Sequence, residues 1–262
     1  MRIIFLGRRP HACEALDWLL TEGHEVVRVV APSGVDGERE YWSPSLRESA
    51  ARTGLSLSSD VELYREIASG ALGIKDVDLV VSFLFWKRIR RPFIDGPRFG
   101  CVNLHPAPLP DYGGLGGYNF AILHKLAEWG VTSHYVDDGF DTGPIIRVDR
   151  FSFDWRSATA FSLEMATRPV LLECFKQTVR DIAKSGRLST VANQGGRYYD
   201  RADFECEKVL DLDNMSNDEV LLRTRAFWYP PFDGAYVERD GQRFTLVTSD
   251  ILESLEILHR ER

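Results

Sequence analysis

One run constrains the fold more than any other: Asp78-Leu-Val-Val-Ser-Phe-Leu-Phe85. Its apolar residues are continuous rather than alternating, so a strand built from it must be covered on both faces. That is the situation of a strand in the middle of a parallel sheet sandwiched by helices. The start of the chain supplies the neighbours such a strand needs. Residues 2–6 read as a buried strand ended by Gly7. In residues 11–21 the apolar Cys13, Leu16, Leu19 and Leu20 recur at helical spacing, and Gly23 closes the pattern. Residues 25–31 form a second, Val-rich strand. A strand–helix–strand opening predicts a parallel sheet covered by helices. The turn Gly7-Arg-Arg-Pro10 lacks the G-x-G-x-x-G spacing, so a dinucleotide cofactor is not supported.

Residues 32–41 are polar and Gly-rich and read as a loop. Helices are expected over 43–53 and 60–69, with Ser and Asp caps. The run Lys87-Arg-Ile-Arg-Arg91 reads as a solvated helix end. Lying just past the carboxyl end of a central strand, it is also placed for a phosphate contact. A strand is expected over 100–105, a helix over 118–128 and an alternating strand over 130–136. A tight acidic loop (137–143), a strand (144–153) and a long helix (157–185, kinked at Pro169 and capped by Gly186) follow. From residue 187 the character changes to polar and aromatic. There a helix is expected over 216–227, and a hairpin pairs 234–238 with 243–248 across Asp240-Gly241. The expected fold is α/β: a Rossmann-like, mostly parallel sheet flanked by helices, with a small C-terminal α+β hairpin appendage. The expected domains are 1–186, catalytic, and 187–262, for substrate binding and dimerisation.

A formal net charge of -7 argues against a general nucleic-acid binder, which carries a basic face. Cys13, Cys101, Cys174 and Cys206 lack the spacing of a zinc or redox motif and read as buried, reduced thiols. The apolar run at residues 1–6 is too short for a signal peptide, and no run approaches the roughly 20 residues that cross a bilayer. The expectation is a cytoplasmic protein with no membrane partner.

The chemistry concentrates where the strand at 100–105 runs into the Pro- and Gly-rich exit Pro106–Gly117. Asn103 and His105 are separated by one residue, so on a strand they face the same side. An amide offers a neutral donor to a developing oxyanion, and an imidazole moves protons near neutral pH. Asp141, from the acidic loop, can orient the imidazole or accept a proton. Each residue alone is ordinary. An Asn-x-His pair is more often structural, and Asp-Thr-Gly is a common turn.

Together, Asn103-Leu-His-Pro-Ala-Pro-Leu-Pro-Asp-Tyr112 and Gly130-Val-Thr-Ser-His-Tyr-Val-Asp-Asp-Gly-Phe-Asp-Thr-Gly-Pro-Ile-Ile146 resemble the folate-dependent formyltransferase family. That family's Asn-x-His-Pro strand end and Asp-Thr-Gly loop fall on Asn103, His105 and Asp141. The motifs span residues 100–147, and a looser likeness covers the first 185. Many members have Arg after the Tyr of the Leu-Pro-x-Tyr segment, where this chain has Gly113. The resemblance implies 10-formyltetrahydrofolate as donor, a primary amine as acceptor and no metal. It places Ser82, Phe83, Leu84, Phe85, Asp137 and Asp138 around the pterin. Apolar walls there would exclude water and suppress hydrolysis of the donor.

Members differ mainly in the acceptor. The stretch from 187 is too short and too acidic for the basic barrel of members that act on methionyl-tRNA. Glycinamide ribonucleotide members lack such a tail, and folate deformylases carry a domain before the first strand. Sugar N-formyltransferases remain. They act on nucleotide-linked amino sugars for surface glycans such as the O-antigen of lipopolysaccharide. Gly116-Gly-Tyr-Asn-Phe-Ala-Ile122 and Arg225-Ala-Phe-Trp-Tyr-Pro-Pro-Phe-Asp-Gly-Ala-Tyr236 look most like that branch. The acceptor it implies is a 4-amino-4,6-dideoxyhexose on dTDP or GDP. Lys87, Tyr118, Tyr199, Arg225 and Trp228 are the candidate contacts, cations for the diphosphate and rings for the base. Core packing is the competing role for each ring. A homodimer through the C-terminal region is the family's usual assembly. A formyl-folate hydrolase or a non-catalytic binding module are the other classes.

Overall fold

The computed structural model describes residues 1–32 and 44–253. The loop expected over 32–41 therefore lies almost wholly outside the described residues. The elements, in chain order, are β1 (Arg2–Gly7), α1 (Arg9–Thr21), β2 (Glu25–Val30), α2 (Leu46–Arg52), β3 (Leu57–Ser58), α3 (Asp60–Ala68), β4 (Leu79–Phe83) and β5 (Cys101–His105). After them come β6 (Gly113–Gly114), α4 (Gly117–Leu123), β7 (Glu128–Tyr135), β8 (Ile145–Ser152) and α5 (Ala160–Ser185). The last are β9 (Tyr198–Tyr199), α6 (Arg201–Cys206), α7 (Asn217–Ala226), β10 (Tyr236–Arg239) and β11 (Gln242–Thr245).

A seven-stranded sheet runs β3-β2-β1-β4-β5-β7-β8. The pairs from β3 to β5 are parallel, and β7 lies antiparallel to β5. The order departs outward on both sides of β1 and β4, which makes these the central strands. In β1, Ile3 and Phe5 pack into one apolar cluster while Ile4 and Leu6 pack into another. The two-residue period of a strand thus sends alternate side chains to opposite, equally buried faces. On one face Leu16 and Leu19 of α1 meet Leu171, Cys174, Phe175, Val179 and Ile182 of α5. Those α5 positions fall on one stripe of a helix. Burying a side chain such as Phe175 contributes about 1.5–3 kcal/mol. On the other face Leu63 of α3 packs with Ile89 and Phe93.

The chain divides into two compact units. The first comprises Met1–Asp111, Gly130–Asp149 and Arg168–Gly196. The second comprises Tyr112–Trp129, Arg150–Thr167 and Arg197–Arg262. Two central segments therefore group with the C-terminal stretch, and no simple cut at residue 187 reproduces the division. In the second unit β6 pairs with β9, Gly113 opposite Tyr198 and Gly114 opposite Tyr199. The Asn119 amide donates to the carbonyl of Ala226 at 2.7 Å and ties α4 to α7. The hairpin β10–β11 turns through Asp240 (φ 50°) and Gly241 (φ 73°), the paired left-handed conformation of a type I′ turn.

Several local expectations need correction. The helix expected to reach 128 stops at Leu123, because Lys125 is left-handed (φ 55°) and Glu128 already opens β7. The strand from 78 ends at Phe83, where Leu84 turns left-handed (φ 57°). Lys87–Arg91 is irregular rather than a helix end. The 3.6-residue pattern was too short to reveal α6, whose capping box is made by Asp200 and Asp203. Cys13, Cys101 and Cys174 are buried, but Cys206 is exposed, and none of the four is in a disulfide. Burial pushes the Cys101 and Cys174 thiols far above their ordinary value, so neither is a nucleophile. Among the described residues no helix is long and apolar enough to cross a membrane.

Candidate active site

The site belongs to the first unit and begins as a row across three strands. Ser82 of β4 pairs with Asn103 of β5, and Asn103 pairs with His134 of β7. Directly paired residues share a face, so backbone register alone brings these side chains together. The Ser82 hydroxyl donates to Asn103 Oδ1 at 2.6 Å. Asn103 Nδ2 lies 3.0 Å from His134 Nε2, and His134 Nδ1 lies 2.8 Å from the carbonyl of Tyr135. A carbonyl can only accept, so Nδ1 carries the proton and Nε2 accepts from the amide. Burial lowers the His134 pKa, against the opposing pull of Asp141, and this keeps the ring neutral. One amide N–H of Asn103 and its oxygen are thereby held, which aims the second N–H.

His105, at the end of β5, is buried, with Nδ1 3.4 Å from Asp141 Oδ1. The same carboxylate oxygen lies 3.9 Å from His134 Nε2. Asp141 occupies left-handed backbone (φ 55°), and the loop around it is held from several directions. Asp137 Oδ1 accepts from the Gly139 N–H at 3.0 Å and from the Thr142 hydroxyl at 2.6 Å. A side chain at Gly143 would run into the carbonyl of Tyr135, so only glycine closes the loop against β7. Asn193 Nδ2 donates to the carbonyls of Asp141 (2.8 Å) and Gly143 (2.9 Å). Asp138 meets Arg88 through its carbonyl and Arg91 through its carboxylate.

Asn103, His105 and Asp141 are thus brought together as the motifs imply. His134 and Asn193 escaped the sequence reading. The alternation of residues 130–136 marked a strand but not which partner His134 would face. Asn193 sits in a polar stretch with no periodicity at all. The expected donor-pocket residues divide. Ser82 is only 1% exposed and its hydroxyl is engaged by Asn103, so it orients the amide rather than lining a pocket. Phe83 is fully buried against Phe5 and Phe175, because alternation along β4 sends it into the helix-covered core. Leu84 and Phe85 are half-buried. The Leu84 carbonyl accepts from Arg8 Nε at 2.8 Å, and Phe85 packs on Trp86 at 4.7 Å between ring centroids.

The expected acceptor contacts divide as well. Lys87 forms an ion pair with Asp60 at 2.9 Å and stands 5.7 Å from the Trp86 ring. Tyr199 is only 4% exposed, stacked on Phe120 at 4.0 Å and Tyr112 at 5.7 Å, so it is packing rather than a platform for a base. Tyr118 is half-buried beside Trp129, and the Trp228 carbonyl accepts from the Phe161 N–H at 3.1 Å. Arg225 lies on α7. Gly113 takes its place in the β6–β9 ladder, its N–H donating to the Arg197 carbonyl at 3.1 Å.

A neutral amide donor aimed from one strand, with a buried imidazole beside a carboxylate, can stabilise an oxyanion and move protons around a carbonyl carbon. Comparison with known proteins gives that arrangement a context. The model of the family described as formyl transferase matches residues 1–170. The methionyl-tRNA formyltransferase of Novosphingobium aromaticivorans is 29% identical over 254 residues, covering 96% of this chain and 82% of that protein. The likely sugar N-formyltransferase Rv3404c of Mycobacterium tuberculosis superposes with a TM-score of 0.73 at 25% identity, covering 95% of this chain and 97% of that one. An N-formyltransferase from Helicobacter canadensis, solved with folinic acid and dTDP-3-aminofucose, superposes at 0.71 with 18% identity, covering 92% and 85%.

Proposed function

The chain belongs to the formyl transferase family, and from that premise we propose that it transfers a formyl group from 10-formyltetrahydrofolate to the amine of a nucleotide-linked amino sugar. The observation that carries the transfer chemistry is the Ser82–Asn103–His134 row beside the His105–Asp141 pair. The free amine attacks the formyl carbon, and the carbonyl electron pair moves onto oxygen. The aimed N–H of Asn103, together with His105, stabilises that oxyanion. Asp141 takes the proton the amine must lose. Collapse of the intermediate breaks the bond from carbon to the folate nitrogen. His105, 3.4 Å from Asp141, recovers that proton from the carboxylate and delivers one to the departing nitrogen. The products are tetrahydrofolate and the N-formyl acceptor. Folate would be held along Leu84, Phe85 and the 136–141 loop.

The acceptor class rests on two supports. A sugar N-formyltransferase is among the proteins with this fold, and the likely one from Mycobacterium tuberculosis is 25% identical. The net charge of -7 is unfavourable for a polyanion such as tRNA. The 29% identity to a methionyl-tRNA enzyme is the observation behind the second reading. The two are separated by supplying formyl-folate with a panel of amines and following tetrahydrofolate release. Release with dTDP- or GDP-linked amino sugars is expected. Release only with methionyl-tRNA or glycinamide ribonucleotide would sink the sugar reading, and release with no amine would make the protein a hydrolase. A cytoplasmic homodimer serving surface-glycan synthesis completes the proposal, and sedimentation tests the dimer.

A further inference from the structure

β5 ends at His105, whose register partner on β7 is Thr132. The ladder stops there, because three of the next five residues, Pro106, Pro108 and Pro110, carry no N–H. The amides left in this exit belong to Ala107 and Leu109. Thr132 takes over where the ladder stops. Its hydroxyl accepts from the Leu109 N–H at 2.9 Å and donates to the Ala107 carbonyl at 2.8 Å. A hydroxyl both donates and accepts, so a single side chain serves both backbone groups. Thr132 is fully buried, and Ala107 and Leu109 are buried with it. Both bonds are therefore shielded from solvent, where a hydrogen bond is strong and an unpaired group is costly.

Register places this clamp beside the candidate site, within the same compact unit. Directly paired residues share a face, and so do residues two apart on a strand. Thr132 therefore projects to the side that carries Asn103, His105 and His134. The chain leaving His105 turns over that same face and is tied there. His105 is held on one side by the β5–β7 ladder and on the other by the bonds from Thr132 to Ala107 and Leu109. Its Nδ1 stands 3.4 Å from Asp141 Oδ1, a separation that any swing of the exit would change. Ser133, the next residue of β7, faces the opposite side, where its Oγ lies 2.9 Å from Thr178 Oγ1 of α5. The two threonines are equally buried but hold different things. Thr178 holds a helix to the sheet, whereas Thr132 holds the exit of His105.

We propose that Thr132 is a positioning residue for His105, fixing the imidazole by clamping the Pro-rich exit and not by touching substrate. Its effect on turnover rests on the formyl-transfer reading above, and not on which amine accepts the group. Thr132→Val removes the hydroxyl at nearly constant volume. In the full chain its kcat should fall about ten- to a hundredfold, with KM for the formyl-folate changed by less than about threefold. Thr132→Ser keeps the hydroxyl and should restore most of kcat. Thr178→Val removes a hydroxyl from the opposite face and should lower the melting temperature while leaving kcat unchanged. A second readout needs no turnover. The imidazole NMR resonances of His105, identified by their loss in His105→Ala, should shift in Thr132→Val and stay in place in Thr132→Ser and Thr178→Val. Should Thr132→Val not fold, Thr132→Ala carries the same expectations. Wild-type kcat without the hydroxyl, a loss in Thr132→Ser equal to that in Thr132→Val, or an equal loss in Thr178→Val would each overturn this role. If the wild-type protein releases no tetrahydrofolate with any amine, the formyl-transfer reading fails, and the His105 resonances then decide: shifted, Thr132 positions the ring; unmoved, it does not.

Discussion

At the scale of single residues, the amide of Asn103 owes its usefulness to groups that do no chemistry. Ser82 and His134 hold it from either side, and burial keeps His134 neutral and able to accept. Replacing His134 by Leu would leave the amide with a buried N–H unpaired and free to turn. Turnover should fall roughly a hundredfold, mostly in kcat. His134→Gln, which can accept from Asn103 while donating to the Tyr135 carbonyl, should restore much of it; equal loss in both variants would deny His134 a positioning role. His105→Ala and Asp141→Ala remove the groups proposed to handle protons and should each lower turnover by about 10²–10⁴ with circular dichroism unchanged. Near-normal rates in either would overturn the assigned roles. The sequence exposed Asn103, His105 and Asp141 because each sits in a motif. It hid His134 because its importance lies in register, the pairing of residue 134 with 103, which local pattern does not contain.

At the scale of elements, the Asp141 carboxylate is carried by a loop, and the loop is only as fixed as its ties. Asn193 bonds two of its carbonyls, on either side of Thr142. Asn193→Ala should cost about 1–3 kcal/mol of stability if both carbonyls stay dry, and less if water replaces the amide. Because Asp141 would lose its fixed distance to His105, kcat should fall about tenfold or more while donor affinity changes little. A melting shift with unaltered kcat would mean that the tie serves stability alone. The sheet core was legible because continuous apolar runs and the α5 stripe report burial directly. Short elements were not. The two-residue strands β6 and β9 and the six-residue α6 carry too few positions for a period, and α4 ends where Lys125 adopts a backbone that Lys rarely takes. The division into units was equally hidden, since it follows spatial contact and cuts across β7, β8 and α5.

At the scale of the whole molecule, buried histidines couple the fold to pH. Burial, with Arg168 and Arg9 adding to it, lowers the His11 pKa from 6.5 to about 3. Burial also lowers that of His134. Below pH 6.5 the unfolded chain takes up a proton at each of these sites more readily than the folded chain does. Stability therefore falls as pH falls, at about 1.4 kcal/mol per pH unit for each fully suppressed histidine. For His11 the window runs from 6.5 down to about 3, the value at which the folded protein also begins to bind the proton. Between pH 6.5 and 5, where most carboxylates are still ionised, His11 alone should remove roughly 2 kcal/mol. Urea unfolding across that interval measures the slope, and His11→Leu should flatten it by that amount while lowering nothing above pH 7 through titration. An unchanged slope in the variant would mean that His11 takes its proton in the folded protein as readily as in the unfolded chain. The same coupling bears on activity. Protonating His134 would turn its Nε2 from acceptor to donor, set two N–H groups against each other at Asn103, and release the amide. Turnover should thus decline in acid before the fold is lost, and His134→Gln should move that decline to lower pH.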